Sequence, residues 1–424
     1  MESNHFLVAI IIFVLTYGAI VSEKINRTSI SIFGALLMVS FGVLSQKDAV
    51  GFIDFNTIGL LIGTMILVNI MKRSGIFEYV AIKSAKAAKG DPWKILVLFS
   101  IITAVFSALL NNVTTILLIA PITLVITDTL EVNPIPFLLP QILFSNIGGT
   151  STLIGDPPNV MVGSAVGIGF MDFIVNLLPV VIVIFIVTLF LFKIIYKSTF
   201  TKFKDSTDII MAMDENLAIK DMKLVKSSVA VTLFTILGFV LHDYIGLESA
   251  TVALLGGAVL LLISKSDPEE IFLDIEWTSI FFFMSLFILV GSMEEIGVID
   301  LLAKKLMVLT GGDMFITAIV ILWSSAILSS FLDNIPFVAT MIPLIKSFGA
   351  LTTVSVMPLW WALILGACLG GNGTLVGSSA NLIVSGILKK HGNDLKFVEY
   401  MKVGFPLMIV SVGISSVYLW AFYL

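Results

Sequence analysis

The sequence repeats itself once, and the offset is 222 residues throughout. Gly34 corresponds to Gly256, Gly75 to Gly297, Asn112 to Asn334, Pro121 to Pro343, Pro136 to Pro358, Gly148 to Gly370, Gly155 to Gly377 and Asn159 to Asn381. Across 148–159 against 370–381, six of twelve residues are identical. Low-complexity apolar sequence matches itself at a few positions. It does not align glycine, proline and asparagine in one unbroken register from residue 34 to residue 159. The chain is therefore read as two copies of one unit, residues 1–196 and 227–424, joined by a polar link at 197–226.

The unit is built for a bilayer. The chain is 58% hydrophobic and only 12% charged, which places it among all-α polytopic membrane proteins. Apolar runs fall at about 6–22, 29–45, 57–71, 94–127, 137–168 and 173–195, and recur at about 228–243, 250–264, 278–292, 315–348, 359–389 and 403–424. Met1–Ser22 lacks the basic region of a signal peptide, so Phe6–Ser22 reads as a retained span. The single cysteine, Cys368, excludes an internal disulfide and a cysteine-rich metal cluster, and reads as core packing. No phosphate-binding loop of the GxxxxGKS/T type occurs. A membrane-embedded hydrolase would need clustered His, Glu or Ser–base groups at depth, and none is visible. No enzyme activity, catalytic residue, cofactor or nucleic-acid partner is expected; the expected partners are the lipid bilayer and a small ion.

Two interruptions define each copy. The run 137–168 is broken at Asn146–Asn159, where Gly148, Gly149, Gly155, Pro157 and Pro158 prevent a continuous helix. Unwound backbone at membrane depth is tolerated only where it is buried in protein or lines a cavity, and broken spans of this kind hold the binding sites of secondary transporters. The run 94–127 is too long for one span and too short for two with a loop. Its polar centre, Asn111–Thr115, reads as the tip of a re-entrant hairpin, with its counterpart at Asp333–Pro336. Each repeat then has five membrane crossings, one of them broken, plus one hairpin. Five is odd, so the second copy enters upside down, giving two inverted repeats.

Walking this layout through the charges puts 20 of the 24 Lys and Arg residues on one side and leaves only Lys47, Lys304, Lys305 and Lys346 on the other. The rich side is cytoplasmic by the positive-inside rule. The expectation is a multi-pass protein of the cell membrane with both termini outside and 197–226 in the cytoplasm. Gly75–Lys89 and Gly297–Leu309, each apolar on one face, are expected to lie along the interface as helices.

Charge inside a membrane is costly, so a deep carboxylate is a functional candidate. Elimination of residues near span ends leaves Asp156 and Asp333, neither with an evident deep Lys or Arg partner. They are not repeat mates: Asp156 corresponds to Ser378 and Asp333 to Asn111. Four half-helices are expected to begin near the midplane, after Asn112, Asp156, Asn334 and Ser378. Such N-termini favour anions, and two carboxylates offset this in favour of a sodium ion or a proton. Thr114, Thr115, Thr150, Ser151, Thr152, Asn159, Asn372, Thr374 and Asn381 add the neutral oxygens that hard cations prefer. Helix capping is the alternative role for both carboxylates, and bonding back to their own helices is the alternative for the hydroxyls.

Asn111-Asn112-Val-Thr-Thr115 and Gly148-Gly149…Ile154-Gly-Asp-Pro-Pro-Asn159 resemble the signature of the arsenite-permease and pink-eyed-dilution (P protein) branch of the ion transporter superfamily, which also holds sodium–dicarboxylate symporters and sodium–proton antiporters. The resemblance covers nearly the whole chain. It implies a scaffold, about 1–90 and 227–312, a transport part of hairpins and broken spans, elevator-type movement and a homodimer. It also implies sodium sites at Asn111, Asn112 and Thr114 with Gly149, Thr152 and Asp156, and at Asp333 and Asn334 with Gly371, Asn372 and Thr374. The carboxylates at 156 and 333 depart from the dicarboxylate relatives and point toward proton coupling. The function expected is secondary active transport, arsenite, metalloid or anion efflux coupled to proton or sodium antiport, with sodium–proton antiport and then sodium-coupled dicarboxylate or citrate symport as alternatives.

Overall fold

The computed structural model describes residues 2–22, 24–200 and 210–424. Glu23, and the part of the link that holds Lys202, Lys204 and Ile209, lie outside the described residues. Among the described residues the secondary structure is helical, without strands. Among the described residues, nine helices are long and apolar enough to cross a membrane by length and composition. Four shorter apolar helices, Arg27–Ser40, Ile135–Gly149, Ser249–Ser264 and Met357–Gly370, add to them.

The 222-residue offset carries over from sequence to structure. Asp91 accepts from the Lys94 N–H at the start of the first hairpin arm, and Asp313 accepts from the Ile316 N–H at the start of its counterpart. Gly75 and Gly297 both take the left-handed conformation, φ 82° and 76°, and both start a helix, Ile76–Ala87 and Val298–Thr310. The hairpin arms are Pro92–Leu110 with Asn112–Thr129, and Met314–Phe331 with Asn334–Ala350. Asn111 turns the first tip alone, at φ 80°. The second tip uses two residues, Leu332 and Asp333, both at negative φ. Two short helices, Gln46–Gly51 and Pro268–Leu273, were not anticipated in the sequence. One turn and a half of helix leaves too little periodicity to read, although they too start 222 residues apart.

The breaks fall where the glycines fall. The helix Ile135–Gly149 stops at its glycine pair, and helix resumes at Pro157–Val166. Gly149 and Gly155 meet backbone to backbone: a Cβ on Gly155 would lie 2.3 Å from the Gly149 carbonyl oxygen. The second break runs from Gly370 to the helix Ser379–Lys390.

Groups that the charge count assigns to one side of the membrane meet in space. Arg73 pairs with Glu270 at 2.6 Å and Asp274 at 3.2 Å. Lys86 pairs with Glu215 of the link at 2.6 Å and holds that carboxyl below its usual range. On the side assigned to the termini, the Tyr423 hydroxyl donates to Asn176 Oδ1 at 2.5 Å, and the Ser347 hydroxyl to Asp300 at 2.6 Å.

The helices Phe55–Arg73 and Ser249–Ser264 pack at close range through Gly63. A Cβ there would lie 2.5 Å from the Ala253 carbonyl carbon, against backbone that cannot step aside. Gly63→Leu is therefore expected to lower stability by about 1–3 kcal/mol or more. Gly18→Ala, with nothing within 4 Å of the added carbon, serves as the control. Thermal unfolding of detergent-solubilised protein measures both, and equal melting of the two variants would contradict the close packing.

Candidate functional site

Four helices begin together where the hairpin tips meet the breaks: at Asn112, Pro157, Asn334 and Ser379. Two of the four residues before them are true caps. Asn111 Oδ1 accepts from the Thr114 N–H at 2.9 Å, and Asp333 Oδ1 from the Ile335 N–H at 3.1 Å. Asp156 and Ser378 stand at cap positions but their side chains bond no helix N–H. The Asp156 side chain is instead turned toward the other half of the molecule.

Each break is held by one asparagine. Asn159 Nδ2 donates to the carbonyls of Gly149, Thr150 and Thr152 at 3.0, 3.3 and 2.7 Å. Asn381 Nδ2, its repeat mate, donates to Gly371 and Thr374 at 2.7 and 2.8 Å. The hairpins are tied to the breaks by matching hydroxyls. Thr152 donates to the Ala108 carbonyl and Ser107 to that of Ser145, each at 2.5 Å. Their mates Thr374 and Ser329 donate to the carbonyls of Ser330 and Ala367. Thr150 and Ser151 bond back to the carbonyls of Asn146 and Gly148. Thr150 and Ser151 thus make the bonds to their own helix that were the alternative reading, whereas Thr152 and Thr374 bond backbone across to the hairpins. The Thr115 hydroxyl is buried without a partner among the described residues, and Thr114 is half-buried in the first turn after the tip.

At the centre, all nearly fully buried, sit Asn112, Asn146, Asp156, Asn159, Asn334, Asn372, Ser378 and Asn381. Asn146 joins the halves. Its Nδ2 donates to Asn372 Oδ1 at 2.9 Å and Asn381 Oδ1 at 3.1 Å, and its Oδ1 accepts from Asn112 Nδ2 at 3.0 Å and the Ser378 hydroxyl at 3.2 Å. Asn334 Nδ2, on the second hairpin tip, approaches the Asp156 carboxylate at 3.3 and 3.4 Å. No ion pair is formed by Asp156 among the described residues, and its side chain is 1% exposed.

The two carboxylates differ more than the sequence suggested. Asp333 does have a basic partner: Arg27 pairs with its Oδ2 and also donates to the Ser379 hydroxyl at 3.0 Å. The expectation that neither Asp meets a Lys or Arg is corrected for this residue. Arg27 begins a helix 306 positions away, and a residue counted among the cytoplasmic-side charges gave no sign of reaching a hairpin tip. Asp333 and Arg27 line a cavity of about 800 Å³, with Tyr17, Asn111, Pro157 and Ser379. The cavity reaches Pro157, the neighbour of Asp156.

Sequence reasoning missed Asn146, Arg27 and Tyr17, whose hydroxyl donates to the Pro336 carbonyl at 3.3 Å. It also assigned Cys368 to packing alone, whereas the thiol donates to Asn159 Oδ1 at 3.3 Å and lies beside Asp156. An amide that opens the break, two residues before Gly148, was the available signal for Asn146.

Paired hairpins and broken helices that enclose a buried polar centre define a secondary transporter, and comparison with known proteins agrees. The chain belongs to the citrate transporter (CitMHS) family, whose family model matches residues 17–366. It is similar to a 46 kDa membrane protein of Mycobacterium leprae, 37% identical over 99% of both chains, and to an uncharacterized transporter of Mycobacterium tuberculosis, 40% identical over 98% of both. The mouse P protein is 30% identical over 97% of this chain and 59% of its own length. Among solved structures, the YdaH transporter of Alcanivorax borkumensis shares the fold, with a TM-score of 0.60 at 11% identity and coverage of 98% and 97%.

Asn159→Ala would leave the carbonyls of Gly149, Thr150 and Thr152 buried without this donor. A buried polar group left unsatisfied costs about 1–3 kcal/mol, so the variant should melt clearly below wild type. Asn393→Ala, at a half-buried position whose amide meets only the nearby His391 carbonyl at 3.3 Å, should not. Unchanged melting of Asn159→Ala would mean that the break is held by something else.

Proposed function

We propose that this transporter moves a small anion or metalloid oxyacid, arsenite being the first candidate, outward in exchange for a proton or sodium ion, with Asp156 as the coupling group. The observation that carries the reading is the state of Asp156: a buried carboxylate with no basic partner among the described residues, no capping role, and a hairpin-tip amide from the other repeat against it. An uncompensated charge at that depth is costly, so the carboxylate needs a cation or a proton whenever the site is closed. Alternate binding and release of that cation is what antiport requires. The cavity ending at Pro157 is the substrate's route, and under the layout read from the charges it faces the cytoplasm. Elevator movement, with hairpins and broken helices sliding against the flanking helices, would carry the site across.

A second reading rests on Arg27. A guanidinium at the cavity wall suits a carboxylate substrate, as the family's description, citrate transporter, suggests. Proteoliposome flux with arsenite, citrate and sodium, each with and without a proton gradient, separates the readings. Asp156→Asn keeps shape and hydrogen-bonding capacity but removes the charge. Proton- or sodium-driven flux should fall at least tenfold and lose its pH dependence. Wild-type rates with an unchanged pH profile would reject Asp156 as the coupling group.

The layout has its own check. Single cysteines at Leu217 and Lys47, both exposed, in a Cys368→Ala background, should react with an impermeant maleimide from opposite sides, Leu217→Cys from the cytoplasm. Labelling of both from one side would overturn it.

A further inference from the structure

Positions 146 and 368 are repeat mates, and the surroundings of one reproduce those of the other with different chemistry. Around Asn146, the neighbour Asn381 has its Nδ2 committed to two backbone carbonyls. Its Oδ1 must therefore face inward as an acceptor. The Asn146 amide fills that acceptor and Asn372 Oδ1 together, at 3.1 and 2.9 Å. A donor group that satisfies two converging side-chain oxygens stands where a small hard cation would stand.

Around Cys368 the frame is the same. Asn159 has its Nδ2 committed to three backbone carbonyls, so its Oδ1 also faces inward. The group in Asn146's place is a thiol, a weak donor, at 3.3 Å. The group in Ser378's place is the Asp156 carboxylate, met by long contacts of 3.3 and 3.4 Å from Asn334 and by the Cys368 thiol and the Asn112 amide. One half-site is rich in donors and neutral. The other has a weak thiol donor and long amide contacts around a buried carboxyl group.

We propose that the Asn146 side chain is a built-in plug. Its amide takes the cation position of one half-site, so each chain carries a single coupling cation, held by Asp156 and Asn159, and not one in each repeat. This rests on the reading of Asp156 as the coupling group. It makes Asn146 the residue that sets the cation stoichiometry, without itself touching the transported cation.

The test is equilibrium binding of radioactive sodium to the full chain in lipid nanodiscs, at alkaline pH where protons compete least. Asn146→Asp replaces the donor by a carboxylate oxygen facing Asn372 and Asn381. It should bind one sodium ion per chain more than wild type. Asn146→Ala, which removes the plug and adds no charge, should show the same gain at lower affinity, and it keeps the test open if the Asp variant does not fold. The deciding quantity is the difference from wild type, so it reads equally for a proton-coupled protein that binds no sodium. Two sodium ions on wild type, or no gain in either folded variant, would overturn the plug. Asp156→Asn should lose the wild-type ion alone. If it keeps that ion while Asn146→Asp still gains one, the plug stands and the role given to Asp156 fails.

Discussion

Everything at the centre depends on keeping unwound backbone satisfied where water cannot reach it. A helix that stops in the middle of a membrane protein leaves carbonyls and N–H groups without partners. Here Asn159 and Asn381 each reach back ten residues, to Gly149 and Gly371, and bind two or three of the freed carbonyls at once. The glycine pairs let the two sides of each loop touch backbone to backbone. With the breaks held this way, side chains that would otherwise repair the backbone are released to face one another. Asp156 is the clearest case, a residue at a cap position whose carboxylate does no capping.

Much of this was legible in the sequence, and for a physical reason. Glycine, proline and the strapping asparagines serve the backbone, and backbone requirements are local, so they leave their mark at fixed spacing. The hairpins, the breaks, the helices after Gly75 and Gly297 and the convergence of Asn112, Asp156, Asn334, Asn372 and Asn381 all follow from that. Contacts across hundreds of residues leave no such mark. Arg27 looked like a loop charge, and only the fold brings it to Asp333. Asn146 only opened the break, and its four partners come from three separate segments. The hydroxyls of Thr150, Ser151 and Thr152 read equally as ligands or as backbone partners, because composition does not say which way a side chain turns.

The repeat also shows where evolution of the second copy was free. Positions that serve the backbone are kept: asparagine at 159 and 381, threonine at 152 and 374, glycine at 155 and 377. Positions that face the centre are exchanged: Asp156 against Ser378, Asn146 against Cys368, Thr150 against Asn372. Two equal sites around one centre would put two carboxylates close together, each raising the cost of ionising the other. A neutral copy beside a charged one avoids that repulsion and leaves one charge to be compensated.

The division of labour extends to the two aspartates. Asp333 caps a helix, pairs with Arg27 and accepts from Ser379 at 2.9 Å. Its charge is compensated within the protein, and a compensated charge has little demand for a transported cation. Its pair joins the N-terminal helices to the second hairpin, as does the Tyr17 hydroxyl near Thr340 at 3.2 Å. If hairpin and broken helix slide together against those helices, the Asp156–Asn334 contact travels with them, while the Arg27–Asp333 pair must open. An opened pair leaves Arg27 at the cavity wall and Asp333 beside the helix start, each exposed to water and to whatever the cavity holds. The charge that moves with its cation and the charge that anchors one resting position are then carried by different residues, and only the first needs to be buried and alone.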